Sequence, residues 1–178
     1  MTEAGSSQAL ADILAPRLPV VFCGINPGML AATSGHHFAG RGNRFWRVMH
    51  LAGFTPMELS PEDDHACLQY GFGLTTAVAR AKARAEMVSR SEIMAAASAF
   101  EQKIARLAPH TIAFLGKMAI SAITGQRDIE WGLQRETFGG ARAWVLPNPS
   151  GLNRSFSLDA LVIAYRELHA AAMPTVSI

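Results

Sequence analysis

Cysteine is scarce: Cys23 and Cys67 are the two in a chain of 178 residues. Two cysteines make no disulfide framework and neither has metal-ligand spacing, so a reducing compartment fits. The six histidines supply no metal motif either, because His36 and His37 are adjacent and no Cys or carboxylate is spaced to join them. Charge is sparse as well, 17% of residues, with a net +2 and a pI of about 8.8. A balance that mild does not by itself indicate nucleic acid. No apolar run approaches the ~18 residues of a membrane span. The segment MTEAGSSQAL has neither a basic n-region nor an apolar h-region of a secretory signal. These absences lead us to expect a soluble, cytoplasmic protein, nucleoid-associated in a bacterium. Internal repeats and low-complexity tracts are also missing.

Several catalytic motifs fail on inspection. Gly116-Lys117 invites a P-loop reading, but Thr111 stands where that motif needs Gly and Met118 where it needs Ser or Thr. Pro149-Ser150-Gly151 resembles a nucleophile elbow with Asn148 in place of the first Gly. No Gly-x-Gly-x-x-Gly is present, and paired carboxylates for glycoside hydrolysis do not stand out.

What is present is apolar and alternating. Hydrophobic residues make up 49% of the chain, and its length suits one domain, 1–178, with 1–7 frayed. A first helix is expected over Gln8–Leu14, ending before Pro16. Val20–Cys23 reads as a buried strand, Gly71–Thr76 as a turn and short extended segment, Thr111–Leu115 as a second buried strand, and Ala143–Leu146 as the last. Helices are expected at Phe45–Ala52, with Asn43 as N-cap and Gly53 as C-cap, and from Pro61 toward Tyr70. Others run from a Ser89/Glu92 capping box to Leu107, from Gly116 to Gly125, and over Leu158–Ala171 behind Ser157. Met29–Gly42 lacks clear periodicity and reads as a loop able to close over a ligand. Strands separated by helices imply a three-layer α/β/α fold. Its central, mostly parallel four- to five-stranded sheet is flanked by helices.

Two turns stand out on that frame. Val20–Gly28, VVFCGINPG, ends a buried strand in Ile25-Asn26-Pro27-Gly28. The pattern returns where Trp144-Val145-Leu146 breaks at Pro147-Asn148-Pro149-Ser150-Gly151. Ligands of open α/β sheets bind where strands end, so two such turns suggest two loops facing one cleft. The Asn26 amide is able to hold a water or a carbonyl, though an Asn-Pro taken alone is more often a turn former. Phe45 and Trp46 read as core. Phe38, among Gly and His, reads as a loop platform, and His37 as pocket lining or loop packing. Leu152 is an apolar residue on a polar loop with no obvious core to join. Arg80, Lys82, Arg84 and Arg90 read as a solvated face or a rim.

Taken together, GINPG at 24–28, GHHF at 35–38, NRFW at 43–46 and NPSGLNR at 148–154 resemble the mismatch-specific uracil/thymine-DNA glycosylase family, part of the uracil-DNA glycosylase superfamily. The resemblance runs from about Val20 to Leu168. It implies a monofunctional base-excision enzyme that hydrolyses the N-glycosidic bond of uracil in G:U mismatches of double-stranded DNA, with no cofactor and no metal, acting as a monomer. Base flipping needs a pocket, an aromatic platform and a wedge. By resemblance, Asn26 positions the attacking water and Phe38 stacks on the flipped pyrimidine. Backbone groups of Ile25 and Phe38 bond the base edge, and Asn148 lines the pocket near the sugar. Leu152 fills the hole in the duplex, Gly151 and Asn153 face the orphaned guanine, and Ser150 and Arg154 hold phosphates. Ala31 stands where related bacterial enzymes carry a hydroxyl, and His37 matches the vertebrate pattern. Together they raise acceptance of thymine, ethenocytosine or other damaged pyrimidines. Rival readings are a damage-binding protein that flips or senses bases without excision, and a nucleotide-binding α/β enzyme.

Overall fold

The computed structural model describes residues 9–25, 29–77 and 89–175, without the side chains of Met29, Arg90, Glu92, Ile93, Met94 and Ala122. Among the described residues five strands form one sheet: β1 (Val20–Gly24), β2 (Phe72–Thr76), β3 (Thr111–Leu115), β4 (Gly132–Phe138) and β5 (Ala141–Leu146). Their order is β2-β1-β3-β5-β4. β2, β1, β3 and β5 run parallel, and β4 pairs antiparallel with β5 at the edge.

Side chains alternate along β1, β3 and β5 between two cores. On one face Phe22, Ala113, Leu115, Trp144 and Leu146 meet α2 (Phe45–Leu51) and α5 (Leu158–Ala172). On the other, Cys23, Ile112, Phe114, Ala143 and Val145 meet α3 (Arg90–Leu107) and α4 (Lys117–Thr124). Helices therefore cover both faces, giving the three layers expected. Phe22 is the hub of the first core, with edge-to-face contacts to Phe45, Phe54 and Phe72 at 5.4–5.6 Å. α5 starts as its cap demands: the Ala160 N–H donates to Ser157 Oγ at 3.1 Å.

Three departures from the expected elements stand out. The first is the helix over Gln8–Leu14. Gln8 lies outside the described residues, and Ile13 instead pairs with Leu74, exchanging both backbone hydrogen bonds at 2.8–2.9 Å. The open edge of β2 offers this strap a partner, and that pairing overrides local helix propensity. A Cβ on Gly73 would lie 2.7 Å from the Ile13 carbonyl, so only glycine lets the strap sit there. The second is the loop over Met29–Gly42. Its first part is α1 (Met29–Ser34), whose Ala31 and Ala32 are buried and which Gly35 closes at φ +77°, donating its N–H to the Ala31 carbonyl. The third is β4, which was not foreseen: its exposed, polar residues give no apolar run to read.

Smaller shifts occur at α2. Asn43 Oδ1 accepts from the Phe45 N–H at 3.0 Å, but Arg44 occupies the cap position, and Ala52 rather than Gly53 ends the helix. α3 begins directly after Ser89, while the Glu92 side chain of the expected capping box lies outside the described residues. So do residues 80–84 of the basic stretch and the Arg90 side chain.

Candidate active site

β1, β3 and β5 are parallel, so the loops that follow them leave the sheet at one edge. β1 lies between β2 and β3, and the chain crosses over it to continue the sheet, which is where open α/β folds bind ligands. Ile25 opens the first of these loops with its side chain in the second core, 5% exposed, so that only its backbone is left to face a ligand. Asn26, Pro27 and Gly28 lie outside the described residues. Ala31 is buried on α1.

The GHHF segment is tightly held. The His37 N–H donates to Asp64 Oδ2 at 2.9 Å, its carbonyl accepts from Trp46 Nε1 at 3.1 Å, and its ring Nε2 lies 2.8 Å from the Ala11 carbonyl. A carbonyl only accepts, so Nε2 carries the proton. Burial lowers the pKa of His37, against the opposing pull of the Ala11 carbonyl and Asp64, and keeps the ring neutral. His37 is thus packing as much as pocket. Phe38 follows with φ +56° and lies flat against Phe45, ring centres 3.8 Å apart at 18°. One face of the Phe38 ring is therefore taken by Phe45.

The loop after β5 is built by its own short side chains. Asn148 Oδ1 accepts the Ser150 N–H at 3.0 Å, and Ser150 Oγ accepts the Leu152 N–H at 3.2 Å. Asn153 closes the loop: its amide nitrogen donates to the Asn148 carbonyl at 2.9 Å and its N–H to the Ser150 carbonyl at 3.0 Å. The buried Tyr165 hydroxyl anchors the base of the loop, donating to the Pro147 carbonyl at 2.9 Å. Leu152 projects from this frame 63% exposed, with Gly151 and Arg154 exposed beside it.

Arg44, read at first only as a member of the NRFW motif, ties the 35–46 segment to the loop after β5. Its guanidinium donates to the carbonyls of Phe156 (2.7 Å), Asn153 (2.9 Å), Ser150 (3.0 Å) and Pro149 (3.4 Å). Its backbone N–H adds a further bond to Pro149. Gly42 packs so closely on Gly151 that a Cβ on Gly151 would fall 2.7 Å from the Gly42 carbonyl. The structure thus joins the 35–46 segment to Asn148, Ser150, Gly151, Leu152 and Asn153. Gly116, at the end of β3, completes the floor, 3.8 Å from Asn148 Cβ by an added Cβ.

The thiols take no part. Burial pushes Cys23 far above its ordinary range and Cys67 up to about 12, so neither is a nucleophile at neutral pH. Among the described residues no group of three His, Cys, Asp or Glu is placed to hold a metal. No described helix is long and apolar enough to cross a membrane. A cavity of about 410 Å³ lies between Lys117 and Glu130 and shares no residue with the two loops. What the loops offer is an aromatic platform, a rigid polar loop carrying one exposed leucine, and flanking Ser150 and Arg154.

Known proteins resemble the chain in family and in fold. A family model described as the uracil DNA glycosylase superfamily covers residues 11–169. Among solved structures, the solution NMR structure of a Methanosarcina acetivorans protein, provisionally described as a uracil DNA glycosylase, superposes with a TM-score of 0.61. It is 20% identical, over 92% of this chain and 98% of that one. That likeness is one of fold.

Proposed function

The chain belongs to the uracil DNA glycosylase superfamily, and from that premise we propose that it is a monofunctional, mismatch-specific uracil/thymine-type enzyme acting on uracil opposite guanine in double-stranded DNA. The observation that carries this reading is the loop after β5. Its backbone is fixed by Arg44, and it holds Leu152 63% exposed, outside both hydrophobic clusters of the described residues. Such a residue fits the gap left in a base stack.

In the proposed reaction the flipped uracil stacks on the free face of Phe38, and backbone groups of Ile25 and Phe38 bond its edge. The C1′–N1 bond breaks heterolytically and its electron pair leaves on N1. A water held by Asn26 adds to C1′ and gives up its proton to solvent. An amide is a poor base, so the burden falls on stabilising the departing base anion, for which fixed N–H donors serve. Leu152 occupies the vacated position, and Ser150 and Arg154 grip phosphates. The Asn153 N–H is already bonded to Ser150, so the contact with the orphaned guanine falls chiefly on Gly151. Asn148, half-buried beside Gly116, borders the sugar. Neither loop carries a lysine, so no Schiff base forms and the abasic site is left intact.

Cleavage of labelled duplexes holding G:U, G:T or A:U, beside single-stranded uracil, tests the reading. Alkali-labile product from G:U is expected. Product from G:T would extend the range to thymine, with small, buried Ala31 the residue to probe: a T/U ratio unmoved by Ala31→Ser counts against its part. No product from any substrate, with duplex binding retained, overturns the glycosylase reading in favour of damage binding.

A further inference from the structure

Asp64 is fully buried on the 3-10 segment Pro61–Tyr70, yet no lysine or arginine pairs with it among the described residues. Its carboxylate reaches the GHHF segment instead, accepting the His37 N–H at 2.9 Å and lying 3.4 Å from His36 Nδ1. A buried carboxylate is a poor way to add stability, and its best-attested use is to specify one conformation over others. The conformation at stake is unusual. Phe38 has φ +56°, a region that a bulky residue occupies only when its surroundings hold it there.

The hold is applied one residue earlier, at His37. Asp64 takes its N–H, Trp46 donates to its carbonyl, and its ring bonds Ala11. The peptide between His37 and Phe38 is trans, so its C=O and N–H point in opposite directions. With the carbonyl fixed toward Trp46, the Phe38 N–H is aimed the other way. We infer that Asp64, with Trp46, is a positioning residue for Phe38: by clamping His37 on both sides it fixes the tilt of the stacking ring and the aim of the Phe38 N–H at the base. This rests on the glycosylase reading for its consequence, but not for its geometry.

The test compares Asp64→Ala, Asp64→Asn and the exposed control Asp63→Ala. Asparagine keeps one acceptor for the His37 N–H and turns its NH₂ toward His36. Under single-turnover conditions with enzyme saturating on a G:U duplex, Asp64→Ala is expected to slow excision by roughly ten- to a hundredfold, the cost of a misplaced reacting group. Duplex affinity, set by the β5 loop and phosphate contacts, stays within about twofold. Asp64→Asn restores most of the rate. Wild-type rate per folded molecule in Asp64→Ala, or equal impairment of the Asn and Ala variants, overturns the inference. Should Asp64→Ala not fold, Trp46→Phe removes the opposite clamp, and an undiminished rate there overturns it equally. Should the wild type excise nothing, the glycosylase reading falls alone. The Phe38 ring and amide resonances then decide: they are expected to move in Asp64→Ala and to hold in Asp64→Asn and Asp63→Ala. Unmoved resonances in Asp64→Ala overturn the positioning role.

Discussion

Arg44 organises more of the site than any other single side chain. Its guanidinium satisfies carbonyls from Pro149 to Phe156, and that fork geometry is what lysine cannot reproduce. Arg44→Ala is expected to destabilise the fold by about 2 kcal/mol, the scale of charged hydrogen bonds lost. It should also slow excision further than unfolding explains. Arg44→Lys should recover little of either, read by urea denaturation and single-turnover cleavage. His37 gives a prediction in pH. Its folded pKa is depressed below 6.5 by burial, so the unfolded chain binds the extra proton more readily. Stability then rises with pH, and the loss sets in as pH falls below about 6.5. Between pH 7.5 and 5.5 wild type should lose stability more steeply than His37→Gln; equal slopes would refute the assignment. The packing of His37 was foreseen as one of two readings, but the roles of Arg44 and Asp64 were not legible in the sequence. The partners of Arg44 are carbonyls more than a hundred residues away, acceptors that any sequence supplies. Asp64, in a Pro-Glu-Asp-Asp run, looks like an ordinary helix-start acid until its burial is known.

At the level of elements, the Asn-Pro turn after β5 was legible because strand, break and glycine follow one another in sequence. The buried strands announced themselves as short apolar runs between helices. β4 and the Ile13 strap did not, because edge pairing is decided by what lies open in space and not by local pattern. The loop after β5 yields the sharpest contrast among variants. Leu152 is 63% exposed, so Leu152→Ala should change stability by no more than about 0.5 kcal/mol. Its loss from the base stack should nonetheless slow excision by roughly tenfold or more, on the scale of burying one leucine. Gly151→Ala should do the reverse of a silent change. Its Cβ would meet the Gly42 carbonyl at 2.7 Å, a backbone atom unable to give way cheaply, and the clash should cost about 1–3 kcal/mol. Thermal unfolding beside cleavage rates separates the two.

Over the whole molecule, the sheet brings the ends of β1, β3 and β5 to one edge, and the packing of Gly42 on Gly151 makes one surface of two distant motifs. What was foreseen was the 25–28 and 147–151 turns facing one cleft, of which residues 26–28 lie outside the described ones, so the packing of the 35–46 segment on the second turn is a different surface from the one foreseen. Its internal bracing was not foreseen either, because it depends on hydrogen bonds between segments that share no pattern. The superfamily accounts for the fold, while excision of uracil opposite guanine, with Phe38 as platform and Leu152 as wedge, is the central claim proposed on it. It is tested most directly by single-turnover cleavage of a labelled G:U duplex by wild type and Asn26→Ala, with duplex binding measured on the same samples. Alkali-labile product from wild type, with Asn26→Ala binding normally but slowed by roughly a hundredfold or more for want of a positioned water, is the expected result. Tight binding without product from wild type, or equal rates from the two, would contradict it.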